Sequence, residues 1–266
     1  MKLDIRCDKY QFDEARHKHY ISGKEVTGTT TVVGVIDKPA LMHWAVKVVT
    51  EKLGKLIKTI PYDEALIEAK KEPLNKKQEA GRFGTVVHAI CEHFNNTGVV
   101  LSCDSEELPQ EVRDMAKTFN PSSEKRNKTV QLKAEKLVGQ YVSWFKANNA
   151  KVLYVEQNVF SESDYVGGIF DMVLEVAGKT YIADFKTSSG VYPSQFIQMG
   201  GYHIQLDDMT ERGYIDPMDI AGYIVIHLPR KGNITVHIKK ETKEYRRAFK
   251  ACLYIYRLIN DQLWSL

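Results

Sequence analysis

Two β-prone segments, Val166–Val176 and Thr180–Thr187, meet at a glycine turn, and their alternation constrains the fold more than any other feature of the chain. A two-residue type II′ loop needs glycine at its first central position, which places the turn at Gly178-Lys179. Paired residue numbers then add to an odd total, so Phe170, Met172, Leu174 and Val176 share a face with Tyr181, Ala183 and Phe185. That face is apolar and belongs in a core. The opposite face collects Asp171, Asp184 and Lys186, with Asp171 opposite Lys186 and diagonal to Asp184. Moving the turn back to Ala177-Gly178 preserves the parity, whereas a three-residue loop would carry charge into the core.

Two carboxylates brought this close repel unless a proton or a cation separates them, and hard oxygen ligands on adjacent strands suit Mg²⁺ or Mn²⁺. An ammonium at the neighbouring position can orient a water and neutralise charge on a phosphoryl group. For an arbitrary hairpin a solvated face with an Asp–Lys pair is the better reading, so other parts of the chain must decide.

Around this hairpin the texture is α/β. His19–Ile21, Ser22-Gly23 and Lys24–Val26 read as an N-terminal hairpin, and Thr29–Thr31 offer helix caps ahead of Val32, Val33 and Val35. Pro39 opens a helix to about Leu53, residues 62–72 continue helical, and a separate helix is expected from Asn75 to Asn95. Helices fit Leu108–Phe119 and Thr129–Asn148, separated by a polar, basic, mobile loop over Pro121–Lys128. Strands follow at Val152–Phe160 and in the central hairpin, then a helix after Pro193, a hairpin of Tyr223–Leu228 with Ile234–Lys239, and a last helix over Thr242–Trp264. There is no internal repeat.

Composition sets the outer bounds. With 266 residues, 43% hydrophobic and 27% charged, the chain is expected to fold as one elaborated domain. No apolar run reaches membrane-helix length, and Met1–Arg6 lacks a signal peptide's apolar segment, so the expected location is cytoplasmic. Cys7, Cys91, Cys103 and Cys252 form no C-x-x-C pair, which predicts reduced, mostly buried thiols and no iron–sulfur cluster. A net charge of +3 permits a polyanionic partner without requiring one.

Two helical spacings add to the central hairpin. His88 and Glu92 stand one turn apart beside the apolar stripe of Phe83, Val86, Val87, Ile90 and Phe94, which makes an imidazole available as a metal ligand. Gln198 and Tyr202 have the same spacing and bracket Gly200-Gly201, glycines that each cost a helix interior about 1 kcal/mol and therefore imply a close approach.

Taken in chain order, Gly84…His88…Glu92, Gly168-Ile169-Phe170-Asp171, Asp184-Phe185-Lys186-Thr187 and Gln198…Tyr202 resemble the RecB-like exonuclease branch of the PD-(D/E)XK nuclease superfamily over about residues 80–205. His19–Val26 and Lys38–Ala45 are similar to phage-type members. The resemblance implies a restriction-endonuclease-like α/β core, a mixed central sheet flanked by helices with helical additions at both ends. It divides the chain into accessory hairpin and helices at 1–75, nuclease core at 76–240 and C-terminal helix at 241–266. It implies one or two Mg²⁺ or Mn²⁺ ions held by His88, Asp171, Asp184 and the Phe185 carbonyl, catalysis by Asp171, Asp184, Lys186 and Glu92, and substrate contacts from Gln198, Tyr202, Thr187 and Ser188. Glu156 precedes the hairpin where relatives sometimes carry an acid, although a structural ion pair explains it equally well.

The expected activity is hydrolysis of DNA phosphodiesters by a metal-activated water, with an exonuclease of recombination or repair favoured and a single-strand annealing or recombination protein as a possible partner. Electrostatic binding would draw on Lys125, Arg126, Lys128, Arg230, Lys231 and the C-terminal set Lys239, Lys240, Lys243, Arg246, Arg247 and Lys250, the last helix being more often a solvated face. Trp44 and Tyr192 could stack on bases, with core packing the commoner use. The rivals are a structure-specific endonuclease of the same fold and a non-cleaving DNA-binding subunit of a recombination complex. A P-loop at Gly178-Lys179-Thr180 fails for want of its upstream glycine.

Overall fold

A computed structural model describes residues 2–119 and 124–260. Contacts divide the chain into two units, one of Met1–Ile36, Ile90–Val100 and Lys136–Leu266 and the other of Asp37–Ala89 and Leu101–Glu135. The elements in chain order are β1 (Tyr10–Asp13), β2 (Lys18–Ile21), β3 (Lys24–Gly28), α1 (Thr29–Val33), α2 (Pro39–Leu56), α3 (Tyr62–Thr97), α4 (Gln110–Lys117) and α5 (Glu124–Ala147). They continue as β4 (Lys151–Ser161), β5 (Val166–Val176), β6 (Lys179–Lys186), α6 (Pro193–Glu211), β7 (Ile220–His227), β8 (Thr235–Lys239) and α7 (Lys243–Ile259).

The second unit is helical. Pro39 opens α2 at a position where its missing N–H is no loss. The two helices expected on either side of residue 73 are a single helix, α3, with Pro73 inside it; the flanking Glu, Ala, Lys and Leu residues are strong helix formers and carry the helix through the proline. The basic stretch expected as a loop begins α5 instead. Glu124 in its first turn complements the helix dipole, and the Asn127 amide donates to the Ala116 carbonyl at 3.1 Å, tying these turns to α4. Lys125, Arg126 and Lys128 are therefore exposed helical residues, while the Pro121–Ser123 part of that loop lies outside the described residues, as does the end of the last helix at Trp264.

The first unit is built on an eight-stranded mixed sheet in the order β1-β2-β3-β5-β6-β7-β8, with β4 paired to β5. β1, unforeseen in the sequence, pairs antiparallel with β2. Beneath α6, Val173, Ile182, Tyr223 and Val225 pack with Phe196, Met199 and Tyr202. On the other face the Tyr141 ring of α5 meets Phe185 edge-on at 4.9 Å, and the Asn95 amide of α3 donates to the Met172 sulfur at 3.4 Å. Both sheet faces are thus covered, as in the mixed, helix-flanked fold expected.

Gly200 and Gly201 explain how α7 docks on α6. A Cβ on Gly200 would fall 2.7 Å from the Tyr245 backbone, and one on Gly201 would fall 2.5 Å from the Phe249 ring. Tight packing between helices, more than ligand contact, accounts for both glycines.

The central hairpin turns one residue earlier than the II′ reading placed it. Val176 pairs with Lys179, and Ala177 and Gly178 occupy the loop with φ of 51° and 70°. Two successive left-handed residues form the I′-type turn whose twist matches that of the strands. The parity survives, but the opposition changes: continuing from Met172↔Ala183, Asp171 comes to stand across from Asp184 and not from Lys186. The face assignment also breaks at Asp171, since Phe170 joins the cluster under α6 while Met172 faces Asn95.

This break marks a fork in the sheet. β4 runs along one edge of β5 from Val166 to Glu175, so β3 and β6 must share the other edge. β3 pairs there only at Val166 and Gly167, and β6 only from Met172 onward. Residues 168–171 are left without a ladder partner on that side. At Asp171 the β4 side opens too, because the pairs run from Gln157↔Phe170 to Val155↔Met172 and skip Glu156, whose φ is 43°.

Candidate active site

The fork sets acidic side chains from three adjacent strands side by side: Glu156 on β4, Asp171 on β5 and Asp184 on β6. Asp171 Oδ2 accepts the Phe185 backbone N–H at 2.9 Å, so a carboxylate takes the place of the missing ladder bond and fixes its own position. Asp184 is only 2% exposed. Its Oδ2 lies 2.6 Å from Lys186 Nζ, a charge contact outside hydrogen-bond alignment, which leaves this buried oxygen without an aligned donor.

Burial pushes the Asp184 carboxyl up to about 7, with Asp171 adding to the rise and Lys186 opposing it. Burial works against the Lys186 ammonium, but Asp184 and Asp171 outweigh it and hold the lysine above its ordinary value. Glu156 is likewise raised to about 7, first by burial and then by the charges of Glu92 and Asp171. Among the described residues it makes no ion pair, so the structural salt bridge considered for it is absent. Glu92, on the stretch of α3 in the first unit, is raised by burial and by Asp171. Acids that lift one another in this way must be separated by a proton or a cation, and the Lys186 ammonium supplies one positive charge beside Asp184.

Tyr202 is buried and accepts a hydrogen bond from the Gln198 amide at 2.7 Å; burial raises its hydroxyl, and the Asp184 charge adds to the rise. The paired residues of α6 therefore stand behind the carboxylates. Beyond Lys186, the Ser188 hydroxyl is engaged with the Gly190 carbonyl at 2.7 Å and the Gln195 amide at 3.1 Å, and the His227 ring donates to the Ser188 carbonyl. Ser188 shapes this turn, and Thr187 beside it is half-buried. Tyr192, for which core packing was the commoner reading, is 47% exposed, and Trp44 of the second unit is 36% exposed. His88 stands one turn before Glu92 on α3 and belongs to the second unit.

Much of the C-terminal basic set is tied internally. Arg246 pairs with Asp207, Lys250 with Asp164 and Arg247 with Glu244, while Lys239 lies over the Phe196 ring. The four cysteines are free thiols, three of them buried.

The profile of the PD-(D/E)XK nuclease superfamily matches residues 61–255. The chain belongs to that superfamily. A comparison with curated proteins found no match. Membership makes the protein a metal-dependent nuclease with DNA as its substrate class, and the match spans Asp171, Asp184 and Lys186. Among the described residues no helix is long and apolar enough to cross a membrane. Nor are three His, Cys, Asp or Glu side chains gathered as a ready cation cage among them. The nuclease's donor set nevertheless suits a hard divalent ion, because a buried carboxylate oxygen lacking an aligned donor faces a second carboxylate.

Proposed function

We propose that this nuclease is a Mg²⁺- or Mn²⁺-dependent exodeoxyribonuclease of the RecB-like, phage-type branch, acting on DNA ends in recombination or repair in the cytoplasm. The observation that carries the reading is the buried Asp184 set against Asp171, with Lys186 in contact at the sheet fork. The ordered Gly168–Asp171, Asp184–Lys186 and Gln198–Tyr202 motifs support the branch and its preference for ends. We assign residues 1–266 to one nuclease domain, with accessory elements before residue 76 and after residue 240.

Asp171, Asp184, the Phe185 carbonyl and His88 would hold the ion, with Glu92 and Glu156 as nearby acids. A divalent cation there supplies charge neutralisation at a phosphoryl oxygen and a lowered pKa for water. Lys186, kept protonated by two aspartates, places a fixed positive charge where negative charge develops on the phosphate. Gln198 holds the Tyr202 hydroxyl, and Tyr202 packs behind the aspartates so that their geometry is set before substrate arrives. Lys125, Arg126 and Lys128 offer exposed cations for phosphate contacts, with a recombination or annealing protein as a further partner.

The test uses end-labelled linear DNA and covalently closed circles, single- and double-stranded, with Mg²⁺, Mn²⁺ or chelator. Release of mononucleotides or short products from linear DNA, intact circles and silence in chelator are expected. Cleavage of circles at the same rate would replace the exonuclease with an endonuclease, and activity in chelator would remove the metal.

A further inference from the structure

The fork opens into a cavity of about 510 Å³ within the first unit. Its floor is the unpaired edge of β5 at Gly168 and Ile169, and Tyr202 forms part of its inner wall. Asp171 lies two residues past Ile169 on the same strand, about 7 Å further along. Tyr202, which senses the charges of Asp184 and Asp171, is the residue that the cavity shares with the carboxylate site.

Close packing keeps the floor bare. A Cβ on Gly167 would come 2.6 Å from the His19 ring, and one on Gly168 would come 2.6 Å from the Thr29 hydroxyl. Thr29, expected as a helix cap, instead donates to the Gly167 carbonyl at 3.0 Å and accepts from the Gln205 amide at 2.6 Å, which ties α1, β5 and α6 together at this point. These groups build the wall and are not available to a ligand.

The groups that remain available suit a polynucleotide. Thr30 and Thr31 are exposed and offer hydroxyls, the Arg16 side chain is exposed at the rim with only a loose 3.8 Å contact to Asp13, and Tyr256 offers a half-buried ring. Glu25, the acid of this lining, is neutralised by Lys18 at 2.7 Å. Cations and hydroxyls recognise phosphodiesters, and an aromatic ring stacks on unpaired bases whatever their sequence. The volume is that of a drug-sized ligand, enough for a nucleotide or two but not for a base-paired partner strand.

We propose that this cavity holds the unpaired DNA strand adjoining the bond to be cut, so that the enzyme takes single strands or frayed ends. The proposal rests on the nuclease reading of the carboxylate site. It assigns Arg16, Thr30 and Tyr256 to strand binding, outside the chemical step.

The experiment measures fluorescence anisotropy of a labelled oligothymidine and of a hairpin-capped duplex with the full chain in chelator, where no cleavage occurs. The triple variant Arg16→Ala, Thr30→Ala, Tyr256→Ala is expected to bind the single strand about tenfold more weakly while duplex affinity changes by less than about twofold. Wild-type affinity for the single strand, or an equal loss on both forms, overturns the proposal. Should the variant melt early, the wild-type protein crosslinked to an iododeoxyuridine oligonucleotide decides: adducts on Tyr256 or within residues 16–31 uphold the proposal, and adducts found only elsewhere overturn it. An Asp184→Asn protein that still cuts DNA removes the carboxylate site from the chemistry, and a wild-type protein silent on every DNA with Mg²⁺ or Mn²⁺ removes the nuclease reading, whereas the crosslinks, read without turnover, judge the cavity alone.

Discussion

A buried carboxyl that titrates near neutrality leaves a signature in stability as well as in rate. Asp184 in the folded chain has a pKa of about 7, above the 3.8 of an ordinary aspartate. Between roughly pH 4 and 7 the folded state therefore holds more protons than the unfolded one, so this carboxyl's contribution to stability falls as pH rises through that window and stays low above it. Asp184→Asn should abolish cleavage, and its melting temperature relative to the wild type should be higher at pH 8 than at pH 4, because only the wild type loses a bound proton across that window. Melting curves at the two pH values check this, and a difference from the wild type that does not change with pH contradicts it. Lys186→Ala should lower turnover by about 10²–10³-fold while a calorimetric titration still detects Mn²⁺; loss of binding would make the lysine a structural member of the ion site. The residue types of Asp171, Asp184 and Lys186 were legible because charge stood out against strict alternation. Glu156 was legible only through the resemblance, as an acid on the strand before the hairpin, since its place depends on a skipped pair and a left-handed backbone that no periodicity records.

Among the elements, the β5–β6 hairpin and the α6–α7 pair show what local pattern can and cannot settle. Parity of the hairpin followed from which residues are apolar, but the exact turn did not, because Ala177 accepts a left-handed φ that glycine alone would have advertised. That strain is removable: Ala177→Gly should raise the melting temperature by about 2–4 °C without altering activity. In α6, Gly200 and Gly201 signalled a close approach, while the identity of the approaching body, the backbone at Tyr245 and the Phe249 ring, is a tertiary fact. Gly200→Ala should cost about 1–3 kcal/mol by forcing α7 outward, read by denaturant titration. An unchanged midpoint would mean that the contact yields freely. The break expected near Pro73 failed for a related reason, since one lost hydrogen bond did not outweigh the helix-forming residues on either side.

For the whole molecule, the mixed sheet with helices on both faces agreed with the resemblance, and the matched superfamily profile covers most of the chain. The entry of the N-terminal hairpin into that sheet was not legible, because parallel pairing of Thr27 and Gly28 with Val166 and Gly167 joins segments with no local signal for each other. The Thr29–Gly167 hydrogen bond closes a separation of 138 residues. This long closure has a temporal meaning. The β4-β5-β6 meander can assemble from neighbouring sequence, but β3 reaches its place only after a costly loop has been closed. Recovery of DNA cleavage during refolding should accordingly lag behind recovery of far-ultraviolet circular dichroism, so that a newly made chain acquires its secondary structure before it is able to harm the nucleic acid around it.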